Sequence, residues 1–230
     1  MNTDSNKIYR LTSLIIFLIL IFFATVNFSL GAEIKPVAQP VPQEIKEYQG
    51  EKLSSNRDFR ENSIKGPQYI DMSKYRLTIT GLVKTPKVYT YAEVTGKFKP
   101  YQKLATLNCV EGWSVKILWE GFLVKDILQV SQPLPKGTTI IFYSEDGYST
   151  SFPLSYILDN NILMANKMNT IPLPVERGYP FTLVAENKWG YKWIKWITKI
   201  EISDNQNYHG YWEQRGYSNS GDLNKYFFGK

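Results

Sequence analysis

Thr106-Leu107-Asn108-Cys109-Val110-Glu111-Gly112-Trp113 carries the only cysteine of the 230-residue chain. A β-favouring run, Leu104 to Leu107, leads into it, and Gly112 with Trp113 breaks away from it. The thiol therefore sits at a strand end, where a soft ligand or a nucleophile is useful. A lone cysteine reads equally well as a small, inert core residue. Composition does not separate the two readings, so the flanking sequence has to.

On the N-terminal side, Tyr75-Arg76-Leu77-Thr78-Ile79-Thr80 alternates with period two and stops at Gly81, the pattern of a half-buried strand. Thr90-Tyr91-Ala92-Glu93 has the spacing of a capping box that opens a short helix. On the C-terminal side, Ser114 to Trp119 is apolar enough for another extended segment, closed by Glu120-Gly121. Leu123, Val124, Ile127 and Leu128 then share one face of a short amphipathic helix. Thr138 to Tyr143 reads as a strand stopped by the turn-forming Glu145-Asp146-Gly147. Pro153 to Leu158 starts a helix with proline in its first turn, and Ile162 to Ala165 is extended again. Pro172, Pro174, Gly178 and Pro180 make a long irregular crossing restrained in φ. Phe181 to Ala185 and Trp193 to Ile202 read as strands. There is no internal repeat and no regular βαβ alternation, so the fold class is α+β, rich in antiparallel or mixed sheet.

A second cluster competes for attention with the cysteine. Arg177-Gly178-Tyr179-Pro180-Phe181-Thr182 and Lys188-Trp189-Gly190-Tyr191-Lys192-Trp193-Ile194-Lys195-Trp196 set basic side chains among glycines and aromatics. Arg, Lys and free backbone N–H groups on tightly turning loops are what a phosphate or pyrophosphate needs. The same spacing also describes a strand pair with solvated lysines whose stems cover apolar surface.

At the N-terminus, Lys7 and Arg10 precede an uncharged apolar run from Leu11 to Leu30. This is the layout of an export signal, with small-residue cleavage sites at Ser29-Leu30-Gly31 or Leu30-Gly31-Ala32. At about 20 residues the run is equally long enough to stay in a bilayer as an anchor. Either way the rest of the chain is expected outside the cytoplasm, because the flanking cations stay on the inner side. No cysteine follows the run to take a lipid. Residues 1–32 are thus expected to be a signal peptide or N-terminal membrane anchor. Residues 33–55, rich in Pro, Gln, Glu and Lys, are expected to be a flexible linker. Residues 56–230 form one domain of roughly 170 residues, enough for a sizeable core.

One cysteine forbids an intrachain disulfide, so packing of the 16 Tyr, 12 Phe and 6 Trp must supply stability. The net charge of +6 is spread without a Lys/Arg stripe, which argues against nucleic acid as a partner. His209 is the only histidine. Most His-based metal sites are thereby excluded, and a Cys-His or Ser-His pair would have to use it.

Leu107-Asn108-Cys109-Val110-Glu111-Gly112-Trp113-Ser114, followed by Trp119-Glu120-Gly121-Phe122, resembles the signature of the sulfite-oxidase superfamily of molybdopterin enzymes. It is closest to the branch of periplasmic protein-methionine-sulfoxide reductase catalytic subunits. The resemblance continues in order through Phe59 to Asp71, Tyr75 to Gly81, Ser144 to Tyr148, Leu173 to Lys195 and Gly210 to Glu213. It implies a single molybdopterin-binding domain of mixed β-sheets with short helices, and an oxidoreductase whose cofactor is molybdenum-molybdopterin.

The resemblance also implies roles for residues. Cys109 becomes the catalytic thiolate and protein ligand to the metal, a soft donor suited to high-valent molybdenum and deprotonated once bound. Pterin-binding roles fall on Ser144, on Arg177 just before Gly178, on Thr182, and on the short segment Trp193, Ile194 and Lys195. Arg60, Glu61 and Asn62 match an upstream pterin-contacting segment. Relatives usually carry Arg where Thr182 stands, so Lys188 or Lys192 is expected to supply the missing charge.

Departures from the pattern bear on the substrate. Sulfite oxidases proper carry arginines directly after the cysteine, where this chain has Val110, Glu111, Gly112 and Trp113. A buried Glu111 would disfavour an anionic substrate. Asn166 stands where those enzymes have a tyrosine, and their Arg-Asn-His run is at best Glu61-Asn62-Ser63. The resemblance therefore implies two-electron, reductive oxygen-atom transfer on a sulfoxide- or N-oxide-type substrate, small or protein-bound. Three alternatives stay open: a sulfite-oxidising enzyme with an atypical pocket, a non-catalytic binding module of the same fold at the membrane surface, and a thiol enzyme pairing Cys109 with His209. Glu111 and Trp113 either line the metal pocket or serve as a paired carboxylate and a core ring, and His209 is expected at the surface. The twin arginines usual in exported relatives are missing around Lys7-Ile8-Tyr9-Arg10. There is no Cys-x-x-Cys-His haem motif and no set of cluster cysteines. Electrons are accordingly expected from another protein, a membrane-embedded haem- or quinone-linked partner.

Overall fold

The computed structural model describes residues 43–229; the expected export segment at 1–32 and residues 33–42 lie outside them. The described chain opens on a small hairpin, β1 (Glu47–Tyr48) and β2 (Glu51–Lys52), then β3 (Leu77–Gly81), β4 (Lys87–Tyr89) and helix α1 (Tyr91–Lys97). A long hairpin follows, β5 (Pro100–Asn108) and β6 (Ser114–Leu123), then α2 (Val124–Ser131), β7 (Thr139–Ser144) and β8 (Ser149–Pro153). After α3 (Leu154–Asp159) come β9 (Leu163–Met168), β10 (Ile171–Pro172), β11 (Thr182–Val184) and β12 (Ile197–Ser203). Within these residues no helix is long and apolar enough to cross a membrane.

Two sheets carry the core. In one, β6 lies between β5 and β9, all antiparallel, and both β10 and β11 pair with β9. In the other the order is β4-β3-β12-β7-β8, with β12 parallel to β3 and the remaining pairs antiparallel. The mixed-sheet architecture with short helices is the one expected.

Local sequence accounts for most of these elements. Leu77 and Ile79 are fully buried while Thr78 and Thr80 are only partly so, the half-buried alternation of a strand. β6 is flanked on both sides, and it buries Val115, Ile117, Leu118, Trp119, Phe122 and Leu123. Its near-continuous apolar run suits a central strand. The capping box forms: Thr90 Oγ1 accepts from the Glu93 amide at 3.2 Å, and the Glu93 carboxylate accepts from the Thr90 amide at 2.7 Å. α2 buries Val124, Ile127 and Leu128 against the sheets.

Three expectations about these elements are corrected. Glu120-Gly121 does not end its strand; β6 runs on to Leu123, with a register shift against β9 at that point. Gly121 is needed there for close approach, since a Cβ would lie 2.2 Å from the Met164 carbonyl oxygen. Pro153 closes β8 and precedes α3 instead of sitting in its first turn. Residues Trp193 to Trp196 are not strand. A 3₁₀ turn at Gly190–Lys192 leads into them and Trp196 has φ of +51°, so β12 starts only at Ile197.

The linker expected at 33–55 is corrected from residue 43 on. The Ile45 amide donates to Asn169 O at 3.1 Å and the Ser54 amide to Lys116 O at 2.9 Å. The Glu44 carboxylate accepts from Ser55, Asn56 and Asn169, and Leu53 is buried. The domain therefore includes this hairpin, because Asn169 is a buried amide that needs those partners.

Candidate active site

Cys109 sits in the turn that joins β5 to β6. Its amide donates to Trp113 O at 2.9 Å, and the Gly112 amide donates to Cys109 O at 3.1 Å. Gly112 has φ of +86°, a left-handed conformation that glycine adopts without strain. The two strands and this glycine fix where the thiol stands, 8% exposed.

A cavity of about 390 Å³ opens at the turn. Cys109, Glu111 and Trp113 line it, with Ser144 from the end of β7, Asp146 and Tyr148. Arg177, Thr182 and Trp193-Ile194-Lys195 add another part of the wall, and Arg60-Glu61-Asn62 another. Every site residue assigned from the sequence therefore faces one cavity. The basic cluster reaches the thiol because its glycine permits it. At Gly190 a Cβ would lie 3.2 Å from Asn108 O and 3.5 Å from Cys109 Cα, and Asn108 bridges to Trp189.

The lining residues differ in what they have free to offer. Asn62 Nδ2 donates towards Cys109 Sγ at 3.7 Å. Ser144 is buried, and its Oγ has no partner within the protein. Lys195 Nζ pairs with Glu61 Oε1 at 2.7 Å and donates to Glu176 O at 3.2 Å. Burial pushes the Lys195 ammonium pKa down, and the Glu61 partner opposes that shift. Thr182 is spent on the backbone, donating from Oγ1 to Ile194 O at 3.1 Å. Trp193 donates from Nε1 to Lys188 O at 3.0 Å and packs its ring 5.8 Å from Trp119.

Lys188 and Lys192 do not supply the charge expected in place of an arginine at Thr182. Lys188 pairs with Asp222, and Lys192 pairs with Glu213 at 2.6 Å with both side chains sealed from solvent. Neither lines the cavity. Glu111 is corrected as well: it is exposed at the cavity rim rather than buried. Trp113 Nε1 donates to its carboxylate at 3.0 Å, and this bond, joined by one from Asn62, holds the Glu111 carboxyl below the usual range. Glu111 and Trp113 thus both line the pocket. Asn166 is buried on Tyr91, donating to its hydroxyl at 3.0 Å, away from the cavity. His209 is exposed and does not line the cavity.

Sequence reasoning missed the aromatic wall formed by Phe59, Trp119, Tyr148, Tyr191, Trp212 and Tyr217. High aromatic content was its only signal, and content says nothing about which rings converge.

Burial raises the Cys109 thiol pKa above its ordinary value of 9.0. The Glu111 amide opposes that shift, the Glu111 carboxylate adds to it, and Asn62 and the Val110 amide oppose it. A raised value means that the protonated thiol persists through neutral pH. In cofactor-free protein, the labelling rate of this single cysteine is therefore expected to climb with an inflection above pH 9. An inflection well below that value would reveal an activated thiolate, as a thiol enzyme requires.

Residues 64–212 match the protein family described as oxidoreductase molybdopterin binding domain. The chain is 32% identical over 157 residues to the uncharacterized oxidoreductase YuiH of Bacillus subtilis (strain 168), spanning 68% of this chain and 78% of that one. It is 28% identical over 149 residues to the putative protein-methionine-sulfoxide reductase subunit YedZ1 of Azospira oryzae, spanning 65% of this chain and 56% of that one. Among solved structures, the sulfane dehydrogenase SoxCD from Paracoccus pantotrophus superposes with a TM-score of 0.62 at 23% identity. That superposition covers 70% of this chain and 44% of the other, and it shows a shared fold. The chain thus spans about half the length of these last two proteins.

Proposed function

Because the chain belongs to the oxidoreductase molybdopterin binding domain family, we propose that its cavity holds molybdenum-molybdopterin with the Cys109 thiolate as protein ligand to the metal. The enzyme carries out two-electron, reductive oxygen-atom transfer on a neutral sulfoxide- or N-oxide-type substrate. One observation carries this reading: the chain's only thiol shares a single cavity with an unpartnered buried hydroxyl, Ser144, and a shielded cation, Lys195.

These residues suit the group. A soft thiol fits a high-valent metal, an unpartnered buried hydroxyl needs a polar partner, and an ammonium shielded from water fits an anion. Bound there, the cofactor supplies the two-electron, oxygen-atom chemistry, and the protein's part is to hold, orient and shield. Cys109 binds as thiolate, releasing its proton. Asn62 steadies the sulfur from outside the turn. Ser144 and Lys195 take the polar and anionic parts of the pterin, and Trp193 and Ile194 shape its bed. With the Thr182 hydroxyl already used, Lys195 meets a phosphate while still paired with Glu61, so the pair as a whole borders the anionic end of the group. The ring wall excludes water.

Glu111 bears on the substrate. Its carboxyl pKa lies below the usual range, so it is ionised at neutral pH. A carboxylate at the mouth of the cavity repels sulfite and tolerates a neutral sulfoxide. The name of the Azospira relative, a putative sulfoxide reductase subunit, points the same way. Residues 1–32 act as an export signal or anchor, 33–42 as a tether, and the domain works outside the cytoplasm. A haem- or quinone-linked membrane protein supplies its electrons.

Metal and pterin analysis tests this reading on protein matured in a molybdopterin-producing host. Equimolar molybdenum and pterin, with reductant-driven turnover of sulfoxides or N-oxides, is the expected result. Folded protein that holds neither would overturn it.

A further inference from the structure

The stretch from Asn56 to Asn62, whose residues Phe59 to Asn62 line the cavity, belongs to neither sheet. It contains no helix or strand, and the Arg57 and Asp58 amides bond only back to Ser55. The Glu44 carboxylate holds its first residue, accepting from the Asn56 amide at 2.6 Å and from Asn56 Nδ2 at 2.9 Å; beyond Asn56, what ties it down is mostly one side chain. Arg177 Nε donates to Asn56 O at 3.1 Å, and its two terminal nitrogens donate to Arg60 O at 3.4 Å and Phe59 O at 3.5 Å. The guanidinium also lies 4.8 Å from the centre of the Phe59 ring. Phe59 in turn sets its edge against Trp113 and Trp119. A second fastening is the Lys195–Glu61 pair. Beyond them Asn62 reaches the thiol.

Arg177 is itself held firmly. It closes a 3₁₀ turn, Val175–Arg177, that ends on Gly178 with φ of +102°. A Cβ at Gly178 would lie 2.9 Å from Lys195 Cβ, so the glycine lets the two cations stand side by side. Trp196 Nε1 donates to Val175 O at 2.7 Å and braces the turn from below.

We infer that Arg177 is a positioning residue: through the carbonyls of Asn56, Phe59 and Arg60 it fastens the Phe59–Arg60 wall of the cavity and thereby holds Asn62 against Cys109, rather than contacting the cofactor itself. A guanidinium presents five donors in a rigid fork, and here the fork is spread over three backbone carbonyls of one irregular segment. No lysine can reproduce that geometry. Since the segment makes no ladder bonds, its release leaves both sheets intact and opens only this side of the cavity.

Cofactor-free protein provides the test, so the result does not depend on whether molybdenum binds. In Arg177→Ala, the rate at which the single cysteine reacts with a thiol reagent at fixed pH should rise at least about tenfold, and so should trypsin cleavage after Arg57 and Arg60. Arg177→Lys, a gentler change that keeps the charge, should fall between, and it decides the matter if the alanine variant does not fold. Rates equal to wild type would overturn the inference and return Arg177 to direct contact with the cofactor.

Discussion

Cys109→Ser is expected to lower reductant-driven turnover by on the order of a thousandfold or more, about 4 kcal/mol of activation free energy, while the protein stays folded. A serine hydroxyl is a hard donor that does not ionise near neutral pH, so it is a poor substitute for thiolate on a high-valent metal held by sulfur. The turn itself does not need the sulfur. Its closing hydrogen bonds run between backbone groups of Cys109, Gly112 and Trp113, and serine keeps them. A near-isosteric exchange in a turn costs about 1 kcal/mol or less, which thermal melting followed by circular dichroism will register. Loss of turnover together with loss of fold would instead mark Cys109 as a core residue. Unchanged turnover would remove it from the reaction.

The largest effect on stability is expected at the buried Lys192–Glu213 pair. Lys192 Nζ lies 2.6 Å from Glu213 Oε1 and donates to Ser151 O at 2.7 Å and Asn219 O at 3.0 Å. Thr150 Oγ1 donates to the same carboxylate oxygen at 2.6 Å. Burial pushes the Lys192 ammonium pKa down, and Glu213 holds it up against that shift. Three acceptors around one nitrogen keep the charged form in place. Lys192→Met leaves a buried carboxylate without its cation, which costs about 3–5 kcal/mol. Urea unfolding should show a lower midpoint with an unchanged slope. The double variant Lys192→Met with Glu213→Leu should regain much of the loss, because it removes both charges together. If Lys192→Met kept full stability but failed to retain cofactor, the lysine would be a ligand after all and the structural reading of the pair would fall.

What could be read from the sequence follows from the range of each signal. Alternation at Leu77 to Thr80 and the Thr90–Glu93 capping box depend on neighbours a few residues away, and both appear as expected. The α+β class followed from such elements. The convergence of Arg60, Ser144, Arg177 and Lys195 on Cys109 did not; it rested on the order of motifs shared with the sulfite-oxidase superfamily. The errors fall where long-range partners decide. Lys188 and Lys192 looked like phosphate ligands because a sequence shows charge and hides burial. Their carboxylate partners, Asp222 and Glu213, lie far along the chain, and no spacing announces them. Residues 43–55 looked like a linker because their anchor is a buried amide, Asn169, on the far side of the domain sequence. Trp193 to Trp196 alternates like a strand, yet a left-handed Trp196 turns the chain there. That turn keeps Lys195 at the cavity instead of in a ladder.

The most direct test of Cys109 as metal ligand is to count the sulfur neighbours of molybdenum by X-ray absorption at its K edge in loaded wild-type protein. The expected spectrum shows one sulfur more than the pterin dithiolene supplies. A sulfur count equal to that of the dithiolene alone would contradict it.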